Sequence, residues 1–86
     1  MVYRVEFERR AAKELAALPA PARERILKAL DRLADDPRAS GNIKALHGGG
    51  YRLRVGDYRV LYVVKDDLLL VLVVKVGHRK DVYRGR

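Results

Sequence analysis

The sequence predicts a single α+β domain over residues 1–86, ordered β-α-α-β-β-β. A small, mainly antiparallel sheet packs on an α-helical hairpin, and a short basic tail follows. Three observations predict it. Tyr51 to Val55 alternates apolar and basic residues, as a half-buried strand does. The stretch from Glu8 to Asp36 carries apolar residues at helical spacing and is split by Pro19 and Pro21. Leu68 to Val76 is a nearly continuous apolar run rich in Val, the mark of a central strand covered on both faces.

Val2 to Phe7 alternates Tyr3, Val5 and Phe7 against Arg4 and Glu6, a short strand. Ala11, Leu15 and Leu18 then repeat with helical period among good helix formers. Pro19 stops this helix, and Pro21 suits the first turn of the next. The second helix carries the stripe Ile26, Leu27, Leu30, Leu33 and Ala34, with a Glu24–Lys28 pair on its other side and Asp36-Pro37 at its end. Residues 37–50 read as a loop, with Lys44-Ala45-Leu46 a brief ordered segment whose Leu46 enters the core. The triple glycine 48–50 lacks the Lys-Ser/Thr of a phosphate-binding loop.

Gly56-Asp57 suits a two-residue hairpin turn with glycine first. Val55 then faces Tyr58, Arg54 faces Arg59, Leu53 faces Val60 and Arg52 faces Leu61. Like charges directly opposite across a ladder destabilise it, so an anion docked between Arg54 and Arg59 would relieve a strain that stability alone would avoid. Guanidinium groups splayed into water, or a covering segment with carboxylates, are the structural alternatives. A two-residue turn at Asp66-Asp67 pairs Arg59 with Val74 and brings Gly77-His78-Arg79 to the hairpin end of the sheet. The expectation is three or four arginines at one end of one face. The helical hairpin would cover Leu53, Val55, Val60, Tyr62, Val64, Leu69, Val71 and Val73. Leu61, Val63, Leu70 and Leu72 would form an apolar half-face that needs a partner or a second copy to cover it.

With 86 residues, 49% of them hydrophobic, the chain can build one modest core. There is no cysteine, which excludes disulfides, thiolate metal sites and cysteine nucleophiles. The first ten residues, MVYRVEFERR, are charged and lack an apolar stretch, so a cytoplasmic protein is expected. The net charge of +8 favours a polyanionic partner: nucleic acid, an acidic protein or an anionic membrane surface. Its concentration from Arg52 onward, at Arg52, Arg54, Arg59, Lys75, Arg79, Lys80, Arg84 and Arg86, favours nucleic acid.

The chain carries no Ser-His-Asp pattern, no metal-ligand spacing and no catalytic carboxylate pair. His47 and His78 are isolated. Arginine, lysine and tyrosine remain, a set suited to reactions that build charge on phosphate. In RNA the neighbouring 2′-hydroxyl supplies the nucleophile. Tyr83 would stack on a base or move a proton, or else pack as a terminal aromatic.

These residues resemble the RelE/ParE superfamily of type II toxin–antitoxin toxins, and within it the RelE-like branch. The resemblance spans nearly the whole chain. It rests on Lys13-Glu14-Leu15, on Lys44-x-Leu46, on Tyr51-Arg52-Leu53-Arg54 with Tyr58-Arg59-Val60-Leu61-Tyr62, and on Val76-Gly77-His78-Arg79-Lys80-Asp81-Val82-Tyr83. It implies a ribosome-dependent endoribonuclease that cuts messenger RNA in the A site and leaves a cyclic phosphate, with no cofactor and no metal. It implies catalytic roles for Arg54, Arg59, Arg79 and Tyr83, and RNA contacts through Arg52, Lys44, His78 and Lys80. It also implies a cognate antitoxin, through which the complex would reach operator DNA. The best-known RelE enzymes have lysines where this chain has Arg52 and Arg54. Arginine does not give up its proton, so the general base is open among Tyr83, His78 and Lys80. The alternatives are a ParE-like inhibitor of DNA gyrase, whose relatives generally lack the full arginine and tyrosine set, and a non-catalytic basic RNA-binding module.

Overall fold

The computed structural model describes residues 2–38 and 41–82. Its elements are β1 (Arg4–Phe7), α1 (Arg9–Ala16), α2 (Ala20–Leu33), β2 (Ile43–Ala45), β3 (Tyr51–Val55), β4 (Tyr58–Lys65) and β5 (Leu70–His78). The five strands form one sheet in the order β1-β5-β4-β3-β2. Only β1 and β5 run parallel; the other neighbours are antiparallel. The helical hairpin packs on one face. Ala11 and Leu15 of α1 and Ile26, Leu30 and Leu33 of α2 meet Leu53, Val55, Val60, Tyr62, Val71, Val73 and Val76. Burying each of the larger side chains contributes roughly 1.5–3 kcal/mol.

The helices follow the prolines. Pro19 ends the first hairpin arm, and the second begins at Ala20 with Pro21 in its first turn, where a missing N–H costs nothing. Leu27 departs from the expected stripe: it is 42% exposed, because the helix turns Ile26 and Leu30 squarely to the sheet. The Glu24–Lys28 pair is not formed among the described residues.

The stretch 37–50 is not a loop throughout. Ile43, Lys44 and Ala45 pair with Leu53, Arg52 and Tyr51 as the edge strand β2. Leu46 stays outside the core, in a tight turn closed by its N–H donating to the Gly50 carbonyl at 3.0 Å. Gly50 has φ +85, and a Cβ there would come within 3.2 Å of the Tyr62 carbonyl oxygen. The last glycine is therefore required by the approach of this turn to β4.

The β3–β4 register is the expected one, with Arg54 opposite Arg59. The β4–β5 register is not: Arg59 pairs with Gly77 rather than Val74. Two causes combine. The turn is four residues long, a 3-10 turn at Asp66–Leu68 followed by Leu69 at φ +49. A bulge then sets Lys75 against Leu61 and Val73 against Tyr62, leaving Val74 as the extra residue. Leu69 thus sits in the left-handed region, 49% exposed, and contributes nothing to the core.

That conformation costs a residue with a Cβ roughly 1–2 kcal/mol, so the surroundings must hold it. They do so through Asp66. Its carboxylate accepts from Tyr3 Oη at 2.7 Å and from both terminal nitrogens of Arg38, at 3.2 and 2.8 Å. Hydrogen bonds from Arg38 and Tyr3 hold this carboxyl below its ordinary range. Arg38 also donates to Tyr51 Oη at 2.8 Å, Tyr51 stacks on Tyr62 at 5.6 Å, and Tyr62 Oη donates to the Pro37 carbonyl at 2.6 Å. This network joins the start of the chain, the exit from α2, strands β3 and β4 and the β4–β5 turn at one end of the sheet.

The expected bare half-face is partly covered within the chain. Leu61 and Leu70 are 6% and 7% exposed, while Val63 and Leu72 remain half-buried. An open groove of about 260 Å3 persists there, lined by Leu46, Gly50, Leu61, Val63, Val74 and Lys75.

β1 pairs with β5 only as far as Val73. Beyond it, Glu14 of α1 takes over the exposed edge. Its Oε1 accepts the Val76 N–H at 3.0 Å, and its Oε2 accepts from Lys75 Nζ at 2.9 Å. Lys75 lies on the arginine face by register, but its charge is committed to this ion pair. Burial pushes the Glu14 carboxyl up, but the Val76 N–H, Lys75 and Arg10 outweigh it and the net shift is downward. A lowered carboxyl contributes stability above its unfolded pKa and loses it as pH falls through the folded value. Glu14→Gln is expected to flatten the acid limb of stability below the usual glutamate range of about 4.3. Glu14→Ala strands the Val76 N–H and is expected to cost about 2 kcal/mol in urea unfolding at pH 7. An unchanged midpoint would remove the edge-capping role.

Candidate nucleic-acid interface

The sheet face away from the helices is basic by register. One row across the strands reads Lys44, Arg52, Leu61, Lys75, and the row nearer the hairpin reads Arg54, Arg59, Gly77. The Gly56-Asp57 turn fixes this placement. Gly56 has φ +58, which only a residue without Cβ adopts freely.

Arg54 and Arg59 lie directly opposite each other, and among the described residues neither is paired with a carboxylate. Each guanidinium rests instead on neutral acceptors. Arg59 Nη1 donates to the Gly56 and Tyr58 carbonyls at 2.9 and 3.0 Å. Arg54 Nη2 donates to Asn42 Oδ1 at 3.3 Å, and the Arg54 N–H to the Asn42 carbonyl at 3.0 Å. The two charges are held in place without being neutralised. That leaves their field available to an incoming anion.

Arg79 is delivered to the same end. Its N–H donates to the Asp57 carbonyl at 2.8 Å, and the chain then turns back with the Asp81 and Val82 N–H groups donating to the His78 carbonyl. Val82 is fully buried over Gly77, where a Cβ would come within 3.2 Å of Val82 Cγ2. Glycine opposite Arg59 thus lets the returning turn lie down on the strand end and carry Arg79 beside the hairpin.

Of the residues singled out in the sequence, Arg54, Arg59 and Arg79 come together around the hairpin. Arg52 sits one row inward, and Lys44 is its neighbour across the β2–β3 ladder. Lys80 is exposed on the turn after β5, its N–H donating to His78 Nδ1 at 3.2 Å. His78 pairs with Tyr58 in the row facing the helices, ring against ring at 5.9 Å, so it is not on the arginine face. With Nδ1 accepting, only Nε2 of that imidazole remains available. Tyr83 lies outside the described residues, as do Arg84 and Arg86. Asn42 had no signal in the sequence, and Glu14 stood out only within the Lys13-Glu14-Leu15 motif, with nothing to show its edge contact. Each acts on a backbone group that only the tertiary fold brings near.

A family model described as the ParE toxin of type II toxin–antitoxin systems matches residues 5–83. The chain belongs to this toxin family. It is 31% identical to a putative toxin RelE1 of Methanocaldococcus jannaschii over 99% of each chain. It is 34% identical to the mRNA interferase toxin RelE of Escherichia coli K12, covering 96% of this chain and 92% of that one. Among solved structures, the archaeal RelE–RelB complex of Pyrococcus horikoshii is 30% identical, with a TM-score of 0.78 over 94% of this chain and 99% of that chain. The α+β fold of this toxin is thus shared with RelE structures. No helix among its described residues is long and apolar enough to cross a membrane.

The arginine pair generates a direct test. Inorganic phosphate should raise the melting temperature of the toxin above that in chloride at equal ionic strength, because binding to the folded state alone stabilises it. Arg59→Gln should shrink that increment. An increment that survives in full would place the anion elsewhere.

Proposed function

We propose that this toxin is an endoribonuclease that cleaves messenger RNA in the ribosomal A site and so arrests translation. The observation that carries the reading is the convergence of Arg54, Arg59 and Arg79 on one hairpin, with no carboxylate paired to Arg54 or Arg59 among the described residues. In the reaction the 2′-hydroxyl oxygen attacks the adjacent phosphorus and loses its proton. The bond to the 5′-oxygen of the next nucleotide breaks, and that oxygen takes up a proton as it leaves. The products are a 2′,3′-cyclic phosphate and a 5′-hydroxyl end, with no net change in redox state.

Charge accumulates on the non-bridging oxygens between these steps. Fixed cations aimed at them lower the barrier without reorganising. Arg59 and Arg79 fill that role, and Arg54 and Arg52 hold the flanking backbone as bidentate guanidinium forks. Lys44 and Lys80 extend the grip at either side. Proton transfer is assigned to Tyr83, which lies outside the described residues; a guanidinium brought near a phenol would favour its phenolate. His78 is disfavoured because its register row faces the helices.

A cognate antitoxin is the natural protein partner. Charge favours an acidic chain, and relatives with solved structures include RelE–RelB complexes. The half-covered groove beside Leu61 and Val63 offers it an apolar seat. Operator DNA would be contacted through the antitoxin. The matching family model is described by a ParE toxin, which keeps inhibition of DNA gyrase as the second reading.

Primer extension on a message being translated in vitro tests the proposal, with a ribosome-free control. Cuts within A-site codons that vanish without ribosomes are expected. An intact message together with arrested supercoiling would transfer the toxin to the gyrase-directed class. Arg79→Ala should abolish cutting while leaving melting and antitoxin binding close to wild type, and a fully active Arg79→Ala would sink the assignment. Gly77→Ala should press on Val82, shift Arg79 and slow cutting by about tenfold, since small misplacements of catalytic groups are expensive in rate.

A further inference from the structure

The Arg54 side chain that marks the edge of the arginine face also walls a second basic surface, on the helical side. An open groove of about 360 Å3 runs between α2 and β3, lined in part by Arg25, Lys28, Arg32, Asn42 and Arg54. Arg25, Lys28 and Arg32 follow one another at i, i+3 and i+7 along one flank of α2, and all three are exposed. Arg25 reaches the hairpin itself: a Cβ on Gly56 would come within 2.8 Å of its Nη2. The same glycine that permits the turn therefore makes room for this guanidinium.

Two features point to a ligand. First, among the described residues no carboxylate lines the groove and none of the three helix cations is in an ion pair. Glu24 and Asp31 are on the same helix, yet neither neutralises them. Second, among the described residues no aromatic side chain lines the groove. Single-stranded sites stack bases on aromatic rings, whereas helical RNA is held by shape and by its phosphates. Seven residues of helix span about 10 Å, which accommodates several consecutive phosphates on one strand of a duplex.

We propose that this groove is a second RNA site, one that takes the phosphate backbone of a double-helical RNA without reading its sequence. Arg54 is the border between the two surfaces. RNA held in the groove lies round the β3 edge from the arginine cluster, so the toxin grips structured RNA on one side and presents its cleaving face on the other. The identity of the ligand as RNA rests on the proposed ribonuclease function; the groove and its charge do not.

The test uses the full chain and a fluorescent RNA duplex of about 16 base pairs as the probe, the length a double-stranded RNA module spans. Arg25→Gln, Lys28→Gln and Arg32→Gln are combined, because glutamine keeps the helix. A control of equal charge loss combines Arg9→Gln, Lys13→Gln and Lys65→Gln, all exposed and away from the groove. The groove variant is expected to bind the duplex at least tenfold more weakly than the control. Its log–log salt slope should be shallower by roughly 0.9 for each phosphate it no longer holds. Replacing Arg25 and Arg32 by lysine should retain most of the slope, which separates charge from any loss of fold. Equal losses in the groove variant and the control would overturn the proposal in favour of overall charge. A groove variant that keeps the duplex but no longer binds poly-glutamate would overturn it in favour of an acidic protein partner. The assay reads binding alone, so failure of message cleavage in the wild type would overturn the ribonuclease function while leaving this result standing.

Discussion

The extra residue that β5 carries opposite the Leu61–Tyr62 step decides which side chains share a face, and the basic surface depends on it. Along an unbroken strand, Val71, Val73, Lys75 and Gly77 would all face the helices. With Val74 inserted, Val71, Val73 and Val76 enter the core, while Lys75 and Gly77 cross to the other side. Gly77 then lies opposite Arg59 and leaves space for Val82 to fold down. The bulge thus converts a hydrophobic run into a strand that is apolar inward at both ends and open at the site. Bulges near functional sites commonly re-aim side chains in this way.

The hairpin registers show what local sequence does and does not encode. Gly56-Asp57 is legible because a two-residue turn with glycine first has few geometries, so the Arg54–Arg59 opposition follows from residue counting. The next turn is not, because Asp66-Asp67 resembles a loop tip, while the structure uses Asp66 as an anchor for Tyr3 and Arg38. A leucine in the left-handed region has no local signature; residues 63 and 28 positions from Asp66 hold the turn that places it there. The bulge leaves no local mark either. Together the longer turn and the bulge shift the pairing by three residues. Arg79 nonetheless arrives at the hairpin, and more directly than residue counting implies, since Gly77 already faces Arg59.

The candidate site is legible in its arginines and less so in its supports. Alternation and the Gly56-Asp57 turn place Arg52, Arg54 and Arg59 on one face. Asn42, which tethers Arg54, lies in a stretch too short for any periodicity to show β2. The flank of α2 is equally hidden, because helical spacing commits Lys28 to Glu24. Spacing alone gives only the possibility of that pair, and the competing pull of an adjacent basic groove is visible only in three dimensions.

The Glu14 contact has a consequence for the life of the free chain. β5 is the longest strand and the most apolar, the kind of segment that recruits a second copy through its unpaired backbone. Its first four residues are protected by β1, and at Val76 a single carboxylate occupies the N–H that another molecule would seek. The outermost strands, β1 and β2, are only four and three residues long, poor templates for extension. One acidic side chain in a strongly basic protein thereby guards against intermolecular sheet growth. It does so from within the chain itself, in any interval when no other protein covers the toxin.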